Sequence, residues 1–88
     1  MKYTCPCCGF KTLQTKPPGT FEICKICFWE DDSTQYRNPD FTGGSNEISL
    51  KEAQKNFLAF GASRKRFLNY VSKPSKEDIK DPAWRPLQ

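Results

Sequence analysis

Histidine is absent from this 88-residue sequence. Its absence removes the side chain that most often serves as general acid or general base near neutral pH. No pairing of a nucleophile with a base is recognisable in the rest of the chain. We therefore expect the protein not to be an enzyme.

Apolar residues are also scarce, at 36% of the chain with a mean hydropathy of −0.74. No apolar run approaches the roughly 18 residues of a membrane span. Residues 1–5 lead directly into the first cysteines without the apolar core of a signal peptide. We expect a soluble protein of the reducing cytoplasm, with no membrane partner.

With so few apolar residues, hydrophobic burial alone would leave the folded state only marginally stable. Ordering a chain of this size costs about as much free energy as its hydrophobic burial returns. A structural zinc ion contributes about 10–16 kcal/mol of apparent binding free energy at neutral pH. Metal-coupled folding is the expected solution.

The five cysteines supply the ligands for such a site. Cys5 and Cys8 form one Cys-x-x-Cys pair, Cys24 and Cys27 form another, and fifteen residues separate the pairs. Two intervening residues let both sulfurs of a pair converge on one tetrahedral ion. The pattern predicts one Zn²⁺ bound by all four thiolates, which leaves no open position for water or substrate. An odd cysteine count disfavours a disulfide framework.

Cys7 is left over within the first pair. We expect its thiol to point away from the metal and to be partly exposed beside backbone amides. The favoured interpretation is a small turn residue with no role. The alternative is a redox-responsive thiol or an exchangeable ligand.

Turn signals around the cysteines predict an α+β fold that begins with a zinc ribbon at residues 1–32. Two short antiparallel strands, at residues 10–14 and 20–23, would be joined by a turn in which Gly19 takes a positive φ. Residues 28–29 could add a third strand. Residues 33–48 are polar and turn-rich, and we interpret them as an exit loop.

The clearest helix signal covers residues 49–61. Ser49 with Glu52 three residues later forms a capping box, and Gly61 stands where a C′ glycine ends a helix. One apolar stripe follows the helical period and should pack against the ribbon; it comprises Leu50, Ala53, Phe57 and Phe60.

Residues 62–88 should form a shorter helical or irregular, Pro-rich segment. Phe67, Leu68 and Val71 would face inward in a short helix, and Trp84 should dock on the domain. The whole chain, 1–88, is thus expected to be a single cysteine-rich zinc-binding domain. Its predicted core comprises Phe10, Phe21, Ile23, Phe28, Trp29, Leu50, Phe57 and Phe60.

The formal charge of +4 comes entirely from residues 45–88. Zinc on four thiolates would bring it to about +2, which weakens any inference from bulk charge. A basic group could nevertheless contact nucleic acid; its members are Lys51, Lys55, Arg64, Lys65 and Arg66. A solvated helix face is the favoured alternative.

Three consecutive carboxylates, Glu30, Asp31 and Asp32, could suggest a second metal site or an acid–base pair. Consecutive side chains on a strand point in different directions, so a structural role is favoured.

An ordered series of motifs resembles the bacterial cysteine-rich CPCC family. The likeness covers at least residues 3–62; its pieces are Cys5-Pro6-Cys7-Cys8-Gly9, Pro18 to Cys24 with Cys27, Phe28 to Asp32, Gly43 to Asn46, Ser49 to Ala53, Asn56-Phe57 and Phe60 to Ala62. The resemblance implies a small cysteine-rich domain and no particular activity. The cysteine turns are also similar to those of zinc ribbons and rubredoxins. Rubredoxins bind iron, which is the minority alternative here, but their two turns lie further apart in sequence.

Three functions remain open from the sequence. The leading one is a non-catalytic structural-zinc module that binds another protein. The second is a nucleic-acid-binding accessory protein that uses the basic half. The third is a thiol redox or metal-handling protein that uses Cys7.

Overall fold

The computed structural model describes residues 2–87 and confirms a small α+β fold. Its elements are β1 (Tyr3–Thr4), β2 (Lys11–Leu13), α1 (Ser33–Arg37), α2 (Leu50–Phe60) and a 3₁₀ helix (Lys65–Phe67). The two strands are antiparallel, with Tyr3 opposite Leu13 and Thr4 opposite Lys11. Four cysteines gather beside this small sheet.

The predicted strand at residues 10–14 exists as β2, but its predicted partner is wrong. β2 pairs with β1, while residues 20–23 pair instead with residues 30–31, through the isolated bridge between Ile23 and Glu30 and backbone hydrogen bonds to Asp31. A left-handed backbone at Phe21, with φ of 59°, interrupts the extended stretch. The side chain of Glu22 accepts the Gln14 N–H at 2.9 Å, where a strand would have offered a backbone carbonyl. The turn between them has Gly19 at φ 91°, as predicted.

The predicted exit loop contains α1, which the sequence analysis missed. Asp32 caps this helix by accepting the Gln35 N–H at 2.9 Å. Gln35 is fully buried, and its amide donates to the carbonyls of Phe41, Asn46 and Ile48. A buried amide therefore ties the loop to the helix before it.

Helix α2 confirms the capping signals. Ser49 accepts the Glu52 N–H at 3.1 Å, and Gly61 ends the helix at φ 95° while donating to the Phe57 carbonyl. Leu50, Ala53 and Gln54 are its buried residues. α2 therefore buries an amide among the apolar residues of its inner face.

The C-terminal segment runs back across the start of the chain. Residue 80 bridges to Phe10, and the indole N–H of Trp84 donates to the Pro6 carbonyl at 2.9 Å. Trp84 docks as predicted. The short helix is a 3₁₀ turn, and Leu68 is exposed rather than inward-facing because that turn ends at Phe67.

The core is built around the cysteines rather than around the aromatic residues. Trp29 and Leu50 are buried as predicted, and Phe10 and Phe57 pack partly buried against the cluster. The prediction is wrong for Phe21 and Ile23, which are 62% and 47% exposed. Residues 21–24 hydrogen-bond through their backbone to residues 29–31, but the side chains of Phe21 and Ile23 stay outside the cysteine-centred core. Other buried members are Cys5, Cys7, Cys8, Leu13, Cys24, Ile26, Cys27 and Ala53.

Candidate metal centre

The two Cys-x-x-Cys turns have the same backbone design. In knuckle 1 (residues 5–9) the Gly9 N–H donates to the Cys5 carbonyl, and in knuckle 2 (residues 24–28) the Phe28 N–H donates to the Cys24 carbonyl. The N–H of the first cysteine then donates to the carbonyl five residues on, at 2.9 Å and 3.0 Å. The knuckles are therefore two copies of one motif.

The repeat extends to the backbone conformation after the second cysteine. Gly9 has φ of 82° and Phe28, at the equivalent place, has φ of 67°. Glycine adopts this region freely, whereas a residue with a Cβ is strained there. Phe28 is thus an aromatic residue in a glycine position, and this left-handed backbone replaces the third strand predicted at residues 28–29.

The four predicted ligands converge on one point. Their Sγ atoms all lie within 4.8 Å of one another. Cys5 Sγ lies 3.6 Å from Cys27 Sγ, and Cys8 Sγ lies 3.7 Å from Cys24 Sγ. A tetrahedron of sulfurs at about 2.3 Å from a zinc ion has edges of about 3.8 Å, whereas a disulfide bond measures about 2.05 Å. The spacing fits a tetrahedral four-thiolate site.

The electrostatics of the cluster also suit a bound cation. Burial raises the pKa of the Cys5 and Cys27 thiols, and a hydrogen bond with Cys24 raises the pKa of Cys8. Hydrogen bonds from Cys27 and the other thiols lower the pKa of Cys24. The protein alone therefore favours one thiolate among protonated neighbours, and four buried negative charges require a compensating dication.

Neighbouring groups donate hydrogen bonds to the sulfurs. Thr12 Oγ1, at the centre of β2, donates to Cys24 Sγ at 3.1 Å, and the Ile26 N–H approaches the same sulfur at 3.4 Å. Such outer contacts orient metal ligands and stabilise their charge. Cys24 is consequently the most strongly supported thiolate of the set.

Both knuckles are held from outside by later parts of the chain. The Pro6 carbonyl accepts from Gln54 Nε2 at 2.8 Å as well as from Trp84. The Cys27 carbonyl accepts the Ser63 N–H, and the Lys25 carbonyl accepts the Ser72 N–H, each at 2.8 Å. α2 and the C-terminal segment therefore fix the two halves of the site.

Cys7 is fully buried, which corrects the expectation of partial exposure. Gln54 and Trp84 cover the backbone just before it, so the middle of knuckle 1 faces protein rather than solvent. Its thiol is not one of the four converging sulfurs. Cys7 packs beside the site as a fifth sulfur.

The basic residues do not form one free patch. Arg64 and Arg66 both pair with Glu47, Lys51 lies 3.9 Å from Asp40, and Lys65 lies over the Phe60 ring. Lys55 is exposed on α2. Most of this charge is therefore engaged within the molecule.

The carboxylates of residues 30–32 have structural roles, as the sequence analysis favoured. Asp31 Oδ2 accepts from the Thr20 N–H and hydroxyl at 2.9 Å. Asp32 caps α1 and also binds the Ser45 N–H and hydroxyl. These backbone hydrogen bonds outweigh burial and lower the pKa of Asp32.

Sequence reasoning missed Thr12, Gln54 and Phe28 as supporting residues. Thr12 and Gln54 act through contacts 12 and 48 positions away, which no local pattern reveals. Phe28 could have been found, because aligning the two knuckles places it opposite Gly9.

A family profile described as cysteine-rich CPCC matches residues 3–78. The chain belongs to the cysteine-rich CPCC family. A search of curated proteins found no match. The CPCC run that gives the family its description is knuckle 1 of the metal centre, with Cys7 inside it. Among the residues described, no helix is both long and apolar enough to cross a membrane.

Proposed function

We propose that this CPCC-family protein is a non-catalytic interaction module whose fold depends on one structural zinc ion. The observation that carries the proposal is the convergence of four buried cysteine sulfurs at tetrahedral spacing. All four positions of such a site are filled by protein, so zinc would stabilise structure rather than activate water. Iron suits the same donors, but the short separation of the knuckles favours zinc.

Burial of the cysteines explains why the metal would matter for folding. They form the centre of the core, and β1, β2 and α2 contribute few other large apolar residues. Without the ion, the loss of coordination would remove the bonds that join the two knuckles. Five unpaired thiols also suit a reducing compartment, and we place the protein in the cytoplasm.

A protein partner is favoured by an apolar surface on the knuckle 2 side. Ile23 is 47% exposed, and the Phe28 ring stacks on Tyr70, which is 68% exposed, at a centroid distance of 5.7 Å. Grouped exposed aromatic residues are typical of protein interaction surfaces. Three of the five candidate nucleic-acid residues, Lys51, Arg64 and Arg66, lie in ion pairs, which makes nucleic acid the weaker candidate.

Metal removal tests the structural part of the proposal. Protein purified without added metal should contain one zinc per chain, and a chelator should abolish the circular dichroism of the folded state until zinc is restored. Retained folding in the metal-free protein would contradict it.

Substitution of the apolar surface tests the interaction part. Zinc-loaded wild type should capture a defined protein from the native host, and Ile23→Ser or Tyr70→Ser should lose it. Leu58→Ser, which changes an exposed apolar residue on α2 instead, is the matched control. Capture of nucleic acid alone would contradict a protein-binding role.

A further inference from the structure

A small cavity of about 110 Å³ lies between knuckle 2 and the 3₁₀ helix. Its apolar wall is formed by Ile23, Phe28, Trp29, Ile48 and Phe67. An apolar cavity of about 150 Å³ accommodates a benzene ring. This one therefore has room for a branched aliphatic side chain but not for an aromatic side chain.

A buried hydroxyl lines the cavity without a hydrogen-bond partner among the described residues. Ser63 is 1% exposed, and its Oγ is unpartnered. Its backbone is fully used, since its N–H donates to the Cys27 carbonyl and its carbonyl accepts from Asn56. An unpartnered buried hydroxyl is costly, and a polar ligand atom at the cavity would relieve that cost.

Two guanidinium groups meet one carboxylate at the rim. Arg64 and Arg66 both donate to Oε1 of Glu47, the second at 2.8 Å, and Glu47 is largely exposed. The hydrogen bond from Arg64 lowers the pKa of Glu47. An exposed ion pair of this kind contributes little to stability, so another carboxylate can replace Glu47 at small cost.

The charged side chains that line the cavity can accommodate one additional carboxylate. Glu30 also lines it. With Glu47 turned into solvent, the lining keeps two guanidinium groups and the single carboxylate of Glu30, so one positive charge remains unmatched. A guanidinium group matches the geometry of a carboxylate and can bind it through two parallel N–H···O hydrogen bonds.

The strained backbone of Phe28 places an aromatic ring at the same cavity. Knuckle 1 has glycine at the equivalent position, whereas knuckle 2 holds Phe28 at φ 67° against the Phe67 ring at a centroid distance of 4.7 Å. Strain of this kind persists where the surroundings enforce it and often marks functional sites.

We propose that this cavity binds the carboxyl-terminal residue of a partner polypeptide. The aliphatic side chain of that residue occupies the apolar cavity, and its α-carboxylate replaces Glu47 on Arg64 and Arg66. The Ser63 hydroxyl hydrogen-bonds to the polar backbone of the ligand. The inference rests on the proposed interaction function and specifies its partner as a protein with an aliphatic carboxyl terminus.

Peptide titration of the ¹⁵N-labelled, zinc-loaded protein tests the site. The probes are acetyl-Gly-Gly-Leu with a free carboxylate, the same peptide as its amide, and acetyl-Leu-Glu-amide. The free acid should shift the Ser63 amide and the Trp29 indole signals, and the amide should bind about tenfold more weakly because the charged hydrogen bonds are lost. Equal binding of acid and amide would overturn the proposal, as would no shift at about 10 mM peptide. Equal binding of acetyl-Leu-Glu-amide would overturn the assignment to a chain terminus.

Two substitutions test the charged groups at the rim, and a third, away from the cavity, is the control. Glu47→Gln removes the internal competitor and should bind the free acid more tightly, whereas Arg66→Gln should lose the preference for acid over amide. Lys55→Gln, which removes an exposed cation on α2, should leave both affinities unchanged. Glu47→Gln with weakened binding would contradict the proposal.

Bound zinc and circular dichroism are recorded on every sample. A folded, zinc-loaded protein that fails to bind any peptide refutes this site alone. A wild-type protein that is folded without zinc refutes the proposed structural-zinc function instead.

Discussion

Phe28 has a strained left-handed backbone at the position where knuckle 1 has glycine. An L-residue with a Cβ loses roughly 1–2 kcal/mol in the left-handed region. The ring offsets that cost by its contacts with Phe67 and Tyr70. Removing the ring and restoring glycine therefore have opposite effects on stability.

We predict that Phe28→Gly is more stable than Phe28→Ala by about 1 kcal/mol, because alanine loses the ring yet keeps the strain. Urea unfolding of the zinc-loaded proteins measures the difference. Gly9→Ala serves as the matched variant in knuckle 1 and should be strongly destabilising, since its Cβ would lie 2.6 Å from the Trp84 ring. Equal stability of the alanine and glycine variants at position 28 would contradict the inferred backbone strain at Phe28.

Thr12 is the side chain that donates most directly to a ligand sulfur. Thr12→Val keeps the shape of the side chain but removes the hydroxyl that donates to Cys24 Sγ. We predict about tenfold weaker zinc affinity, as is typical when an outer-sphere hydrogen bond is lost. Competition with a chromophoric chelator measures it. Thr42→Val, in an exposed loop, is the control, and an equal effect of both variants would rule out a specific contribution.

At the scale of elements, α1 depends on one buried amide. A five-residue helix has no independent stability. Gln35 supports it by donating to three loop carbonyls and by accepting the Asn46 N–H and side-chain amide. The segment from α1 to Ser49 should therefore order as one unit.

Gln35→Leu leaves those loop groups without their partner and should cost about 3 kcal/mol. Urea unfolding with zinc in excess gives the value. Gln14→Leu makes the same change at an exposed position and should cost little. A similar small loss for Gln35→Leu would show that solvent satisfies the loop carbonyls and that the amide is dispensable.

The elements differ in how far the sequence predicts them. α2 is predictable because Ser49 and Gly61 act within a few residues of the backbone groups they cap. β2 is predictable, but its partner is not. Phe21 and Phe28 are residue types that favour strands, yet both adopt a left-handed backbone conformation. The buried role of Gln35 depends on loop carbonyls up to 13 positions away, so composition alone indicates a loop.

At the scale of the whole molecule, the start and the end of the described chain meet at the four-cysteine cluster. β1 and knuckle 1 lie near the start of the sequence, and residues 81–84 return to knuckle 1 through the Asp81 N–H to Gly9 carbonyl bond and the Trp84 indole N–H to Pro6 carbonyl bond. The convergence of Cys5, Cys8, Cys24 and Cys27 was predictable because two short spacings determine it. The burial of Cys7 was not, because it results from α2 and Trp84 closing over knuckle 1.

The most direct test is X-ray absorption at the zinc edge of the protein as purified from its native host. Coordination by four cysteines predicts four sulfur neighbours at about 2.3 Å, and Cys7→Ser should leave the spectrum unchanged. Oxygen or nitrogen neighbours in the first coordination shell, or a sulfur lost in Cys7→Ser, would contradict the assignment of Cys5, Cys8, Cys24 and Cys27.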